Sequence, residues 1–294
     1  MNIKADHLHL RFGKHEALKD ISFELEGNKI YGLLGRNGAG KTSLLSLIGS
    51  FREPTSGTLT INGENPFEHA ATMQKVLFMY DKDYSDYSEK VNELLGDMQR
   101  YRPFFDKEYA EYLLALFKID INKPIKKLSK GMQSAVNVSM GLASRTPITI
   151  FDEVYLGMDA PSRDIFYEEL LKDQEKHPRM IILSTHLVSE MEYLFEDVVI
   201  IHEGKVLLQE DYESIISKGT SITGHKETVD AIIGTKKTMN EQQLGNTKSV
   251  MLYGELSEVE AEAALEQGLE LGHISLHDLF IHLTKEEPAD ENLS

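Results

Sequence analysis

Gly35, Asn37, Gly38, Ala39, Gly40, Lys41, Thr42 and Ser43 stand where a short apolar run, Ile30 to Leu34, gives way to an apolar-rich segment ending at Ile48. The stretch satisfies G-x-x-x-x-G-K-[ST] in the strand, loop, helix context that this spacing requires. Glycines let backbone N–H groups converge on phosphate oxygens, and the helix N-terminus adds a favourable dipole. Lys41 would reach the β and γ phosphates, and the Thr42 hydroxyl would ligate Mg²⁺. The predicted ligand is a nucleoside triphosphate. A ligand-free glycine turn would explain the glycines, but not Lys followed by Thr at the helix start.

A second chemical signal lies downstream. Apolar Ile148 to Phe151 runs into Asp152-Glu153, which puts two carboxylates at the carboxyl end of a buried strand, where ligands of open α/β sheets collect. Asp152 is expected to orient the metal through its water shell, and Glu153 to polarise the attacking water. By itself such a pair also reads as a solvated loop; the phosphate loop upstream gives it a task.

These residues need a scaffold, and the pattern around them supplies one. Leu8, Leu10 and Phe12 alternate with polar residues, Gly13-Lys14 offers a turn, and Ile21, Phe23 and Leu25 resume the two-residue period, which predicts an antiparallel hairpin. Helical spacing at Val91, Leu94, Leu95 and Met98, and again at Tyr109, Tyr112, Leu113, Leu116 and Phe117, predicts a helical insertion over about 82–145. Short buried strands then return at Ile148 to Phe151, Ile181 to Ser184 and Val198 to His202, alternating with helix-like stretches from near Ala160 and Leu187. That alternation predicts a parallel sheet covered by helices.

At this point the chain resembles the nucleotide-binding domains of ABC transporters, through about residues 2 to 217. Leu128-Ser129-Lys130-Gly131-Met132 is similar to their LSGGQ signature and lies between the phosphate loop and Asp152. Phe12 falls where the family stacks an aromatic ring on adenine, Gly157-Met158-Asp159 resembles its D-loop, and Ser184-Thr185-His186 resembles its switch histidine. Singly, Phe12 also reads as a strand core residue, His186 as a packing histidine and the signature as a helix start. Their order is what makes the set specific.

The resemblance implies ATP and Mg²⁺ as cofactors and a P-loop NTPase fold of the ABC ATPase type. That fold comprises a parallel sheet with helices, an antiparallel β subdomain and the helical insertion, here followed by a small C-terminal α+β appendage. It also implies a head-to-tail dimer, with itself or with a second ATP-binding subunit, in which Ser129 and Gly131 of one subunit close over the γ-phosphate held by Lys41 of the other. A hydroxyl and a close backbone approach at a helix N-terminus suit a second anion cradle. The partner implied is a separately encoded membrane permease.

Several positions depart from the family. Asp81 stands where it carries Gln after a short strand, Met132 replaces the signature Gln, and Val154 replaces a Pro. Asp81 is kept as a candidate metal ligand beside Thr42 and Asp152, or as a strand end. An active ATPase is expected, because Lys41, Thr42, Asp152, Glu153, Ser129, Gly131 and His186 are all present.

Composition narrows the setting. The chain has 294 residues, 31 Lys and Arg against 48 Asp and Glu, a formal charge of −17 and no Cys. Such a charge repels nucleic acid, and the absence of Cys leaves no disulfide framework or thiolate metal site. The start, MNIKADHLHLRF, lacks the apolar region of an export signal. No run approaches the roughly 20 apolar residues of a bilayer span. The expectation is a cytoplasmic protein, peripheral to the inner face of the membrane.

After Ser217 glycines punctuate short segments, and a small accessory domain is expected over 219–285, with an acidic disordered tail over 286–294. Within it, Val250 to Thr284 resembles the C-terminal extension of cassette ATPases from bacterial exporters of peptides, antibiotics or lipids. His273, His277 and His282 lie near helical spacing, without the Cys or carboxylates of a metal site. The reading is an ATP-hydrolysing subunit powering export. The alternatives are a non-hydrolysing regulatory cassette subunit and a non-transport ABC ATPase.

Overall fold

The computed structural model describes residues 1–236, 238–254 and 256–285. It divides into two compact units: Met1–His186 with Tyr193–Gln209, and Leu187–Glu192 with the described residues from Glu210 onward. The tail expected over 286–294 lies outside the described residues. No helix among the described residues is long and apolar enough to cross a membrane.

The strands run β1 (Asn2–Phe12), β2 (His15–Glu26), β3 (Ile30–Leu34), β4 (Ser56–Ile61), β5 (Val76–Tyr80), β6 (Ile148–Asp152), β7 (Met180–Thr185), β8 (Asp197–His202) and β9 (Lys205–Asp211). They form a three-stranded sheet, β2-β1-β4, and a six-stranded sheet, β5-β6-β7-β3-β8-β9. In the larger sheet β5 to β8 and β3 pair in parallel, and β3, β6 and β7 are buried along their whole lengths. Side chains from both sheets, among them Leu8, Ile21, Leu33, Ile150 and Ile182, share one core with Leu45 of the helix Lys41–Ile48.

Parallel pairing matters for the chemistry because all the carboxyl ends reach one edge. Tyr80 lies level with Asp152, Asp152 with Ser184, and Leu34 with Thr185. The loops that begin at Gly35, Asp81, Glu153 and His186 therefore leave the sheet side by side.

The hairpin forms as its period predicts, from Asn2 opposite Glu26 to Phe12 opposite His15, with Gly13 at φ +60° in the turn. The period fails at its end. Register shifts on either side of Leu10 leave Leu8 and Leu10 buried but Phe12 39% exposed, since a slip of one residue moves a side chain to the other face.

The helical insertion contains helices Val91–Tyr101, Lys107–Leu116 and Lys130–Ala143. Asp106 caps the second by accepting from the Tyr109 N–H, and Ser129 caps the third. From Ser134 to Ala143 the third helix is buried throughout, packed against helix Lys107–Leu116 and strands β5 and β6.

In the second unit β10 (Gly219–His225), β11 (Thr238–Leu244), β12 (Thr247–Tyr253) and β13 (Glu270–His273) form an antiparallel sheet ordered β11-β12-β10-β13. Helices Lys226–Ile233 and Glu258–Glu266 complete a β-α-β-β-α-β order, the split βαβ arrangement of ferredoxin-like folds. Ile222, Val250 and Leu252 pack with Val229, Ile233 and Ala264, so the two helices share a core with the sheet.

The composition shift at Gly219 marks the first strand of this sheet, but the unit extends beyond it. Helix Leu276–Leu283 packs on the short helices Val188–Met191 and Tyr212–Ser217, where Val188, Met191 and Ile215 are buried. His273 ends β13 and His277 and His282 lie in the last helix. There His282 stacks on Tyr253 at 6.5 Å.

Candidate functional site

The phosphate loop is shaped by close approach as much as by flexibility. Gly38 and Gly40 adopt φ +81° and +109°, values that favour glycine. A Cβ on Gly35 would lie 2.7 Å from the Ile201 carbonyl oxygen, and one on Gly40 would lie 2.9 Å from that of Ala17. Gly40 then precedes the helix Lys41–Ile48. Phe12, His15, Ala17, the stretch Asn37–Ser43 and Glu153 line one cleft of about 480 Å³.

Lys41 is 6% exposed. Its ammonium donates to the Gly35 carbonyl oxygen at 2.7 Å and lies 3.3 Å from Glu153 Oε1. A cation with three donors, aimed along a loop of convergent N–H groups, suits phosphate oxygens.

The Thr42 hydroxyl donates to Asp152 Oδ2 at 2.7 Å. Burial raises the Asp152 pKa, and hydrogen bonds from hydroxyl neighbours, Thr42 among them, oppose the rise. Asp152 Oδ1 is buried with no hydrogen-bond partner. An orphaned carboxylate oxygen beside a hydroxyl is a hard oxygen donor set, and it fits Mg²⁺.

Glu153 follows β6 with φ +52°, a left-handed conformation that costs a non-glycine residue about 1–2 kcal/mol. The turn aims its carboxylate at two groups: Lys41, and His186 Nδ1 at 2.9 Å from Oε1. Tyr155, wholly buried, donates its O–H to the Ser184 carbonyl oxygen at 2.9 Å and ties the ends of β6 and β7 together. Lys41, Thr42, Asp152, Glu153 and His186 thus form one connected cluster. It can bind a phosphate, hold a cation and place a carboxylate with a histidine behind it.

Other expected residues lie apart from this cluster. Ser129 Oγ accepts from the Met132 N–H at 3.3 Å at the start of helix Lys130–Ala143. A Cβ on Gly131 would lie 2.8 Å from the Gly157 carbonyl oxygen, so the signature-like turn packs on the D-loop-like one. Asp159 caps helix Ala160–Lys176, and its hydrogen bonds with Ser162 lower its pKa. The Asp81 carboxylate is not joined to Thr42 and Asp152; it is ion-paired with Lys130.

Two neighbours of the cleft carried no signal in the sequence. His15 lines it, and the Arg52 guanidinium lies 4.8 Å from the centre of the Phe12 ring, on the ring expected to meet a base. Only the folding of β1 against the residues after helix Lys41–Ile48 brings that pair together.

Comparisons with known proteins bear on this geometry. Residues 18–155 match the family described as ABC transporter. The ABC transporter ATP-binding protein NatA of Bacillus subtilis is 30% identical over 210 residues, covering 68% of this chain and 84% of that protein. The taurine import ATP-binding protein TauB of Roseobacter denitrificans is 30% identical over 206 residues, covering 67% and 76%. A solved structure of an ATP binding subunit of an ABC transporter superposes with a TM-score of 0.63 at 23% identity, covering 73% of this chain and 92% of that one. This last likeness is one of fold.

Proposed function

We propose, because this chain belongs to the ATP-binding proteins of ABC transporters and is an ATPase, that it powers export through a separately encoded membrane permease at the inner face of the membrane. The observation that carries the reading is the connected cluster of Lys41, Thr42, Asp152, Glu153 and His186 at one sheet edge.

In this reading Lys41 and the loop N–H groups bind the β and γ phosphates of ATP. Thr42 and Asp152 would hold Mg²⁺, which supplies positive charge against the phosphates. Glu153 accepts a proton from the attacking water, and His186, hydrogen-bonded to it, keeps that carboxylate aimed. Ser129 and Gly131 close over the γ-phosphate of a second subunit, the same chain or a different one.

Taurine import is ascribed to one relative, so direction must come from elsewhere than the cassette. The resemblance of Val250 to Thr284 to the extensions of exporter cassettes favours export. Export predicts MgATP-dependent uptake, across a panel of labelled peptides, antibiotics and lipids, into inside-out vesicles bearing the permease; uptake only into right-side-out vesicles loaded with MgATP would count against it.

Glu153→Gln tests the core of the reading. It keeps size and hydrogen bonding but removes the base, so turnover should fall about 10²- to 10⁴-fold while ATP affinity changes little. Persisting ATP should then let the variant accumulate as a dimer on size-exclusion chromatography with MgATP. Normal hydrolysis would refute the role of Glu153. A stalled monomer that dimerises with a second ATPase subunit would identify a heteromer.

A further inference from the structure

Two departures from the ABC pattern, a carboxylate at 81 in place of an amide and a lysine at 130 in place of a signature glycine, meet in the fold. Asp81 leaves the end of β5, where Tyr80 lies level with Asp152. Its carboxylate is ion-paired with the ammonium of Lys130, the first residue of the helix that Ser129 caps. Each substitution brings a charge, and the two charges offset each other.

The segment after Asp81 is fastened to the same helix a second time. Tyr84 is 5% exposed and donates its O–H to the side-chain oxygen of buried Asn137, with burial pushing its pKa up to about 12. Between these ties the Lys82 ammonium lies over the rings of Tyr87 and Tyr84, at 4.1 and 5.6 Å from their centres. Lys130 also abuts the turn that follows Glu153: a Cβ on Gly157 would lie 3.4 Å from Lys130 Cγ. The end of β5, the Ser129–Gly131 turn and the turn at Gly157 therefore meet at one side chain.

We propose that Asp81 and Lys130 are positioning residues: their ion pair straps the segment after β5 to the Ser129–Gly131 turn, so that Asp81 acts through Lys130 and not on the metal. The proposal rests on the reading of that turn as a phosphate cradle. Without the strap, the cradle keeps its hydroxyl and its close backbone approach but loses its fixed place relative to the sheet edge. Both side chains are about half exposed, so the tie is a modest one, weakened by salt.

The test uses the full-length chain as Asp81→Asn, as Lys130→Gln, and as the charge swap Asp81→Lys with Lys130→Asp. Two readouts are taken: backbone amide exchange over residues 82–87 and 130–133 without nucleotide, and steady-state ATPase against MgATP and against Mg²⁺. Each single variant should speed exchange in both segments and lower kcat about two- to fivefold, the range of exposed ion pairs, with KM for ATP little changed. The swap should restore slow exchange in both segments, whereas its kcat is not expected to recover, because it puts a carboxylate beside the cradle. A swap whose two segments exchange as fast as in the single variants would overturn the strap, as would loosening of one segment without the other. So would an Asp81→Asn protein that needs more Mg²⁺ while Lys130→Gln does not, since Asp81 would then serve the metal. If the unaltered chain shows no turnover, the functional reading fails, and amide exchange still decides the ion pair.

Discussion

The two anion cradles proposed for this chain are built differently. On the phosphate-loop side, Lys41 and Asp152 are each 6% exposed; Lys41 belongs to a set of contacts running from Gly35 through Glu153 to His186, and Asp152 accepts from Thr42. On the signature side, the Ser129 hydroxyl makes one long cap bond and Lys130 is held by an exposed pair. Preorganised, desolvated groups stabilise a bound anion far more than exposed ones. Affinity for ATP should therefore reside in the first cradle, and the second should matter when turnover requires closure on a partner subunit.

Lys41→Ala should break that comparison most severely. Losing a charged hydrogen-bond partner in a buried site costs about 2–4 kcal/mol, or roughly 30- to 10³-fold. Because Lys41 serves ground state and transition state alike, isothermal titration with ATP and steady-state turnover should both suffer. An unchanged Kd together with an unchanged rate would remove Lys41 from the site.

Ser129→Arg should separate the cradles. A bulky cation at the helix start is expected to block closure, so ATPase activity should fall at least about tenfold and the MgATP-driven dimer of Glu153→Gln should disappear. The ATP affinity of the single chain should stay within about twofold, as Ser129 makes no contact with the Lys41 cluster. Equal losses of affinity and turnover would mean that the two cradles are not independent.

The same contrast explains what the sequence disclosed. The phosphate loop and Asp152-Glu153 are local: spacing alone forces Gly35, Lys41 and Thr42 into one loop, and an apolar strand places the carboxylates at its end. Phe12 was ambiguous because its period agrees with Leu8 and Leu10, while the register shifts that turn it outward leave no mark in composition. Asp81 could be placed at a strand end, but its partner Lys130 lies across the helical insertion, and a side-chain pairing at such separation has no spacing rule. In the second unit the glycines announced short segments. The split βαβ order, and the inclusion of Leu187–Glu192, depend on non-local packing that no window of sequence contains.

The smallest expected effect tests the phosphate-loop side from within. Burial raises the Asp152 pKa from its ordinary 3.8, so the folded chain binds this proton more tightly than the unfolded chain does. Stability from this group is therefore greatest at low pH and falls as the pH rises through the interval between the two values; at neutral pH the ionised carboxylate is a standing cost. Asp152→Asn removes the charge but keeps an oxygen able to accept from Thr42, so at neutral pH it should melt higher than the unaltered protein. The advantage should shrink as the pH falls toward 4. Mg²⁺ should raise the melting temperature of the unaltered protein, as a ligand that binds the folded state must, and should leave the Asn variant unmoved and its ATPase activity lost. A variant that melts lower at every pH would show that the ionised carboxylate strengthens the fold, and that the orphaned oxygen is not being kept at a cost in stability for a cation.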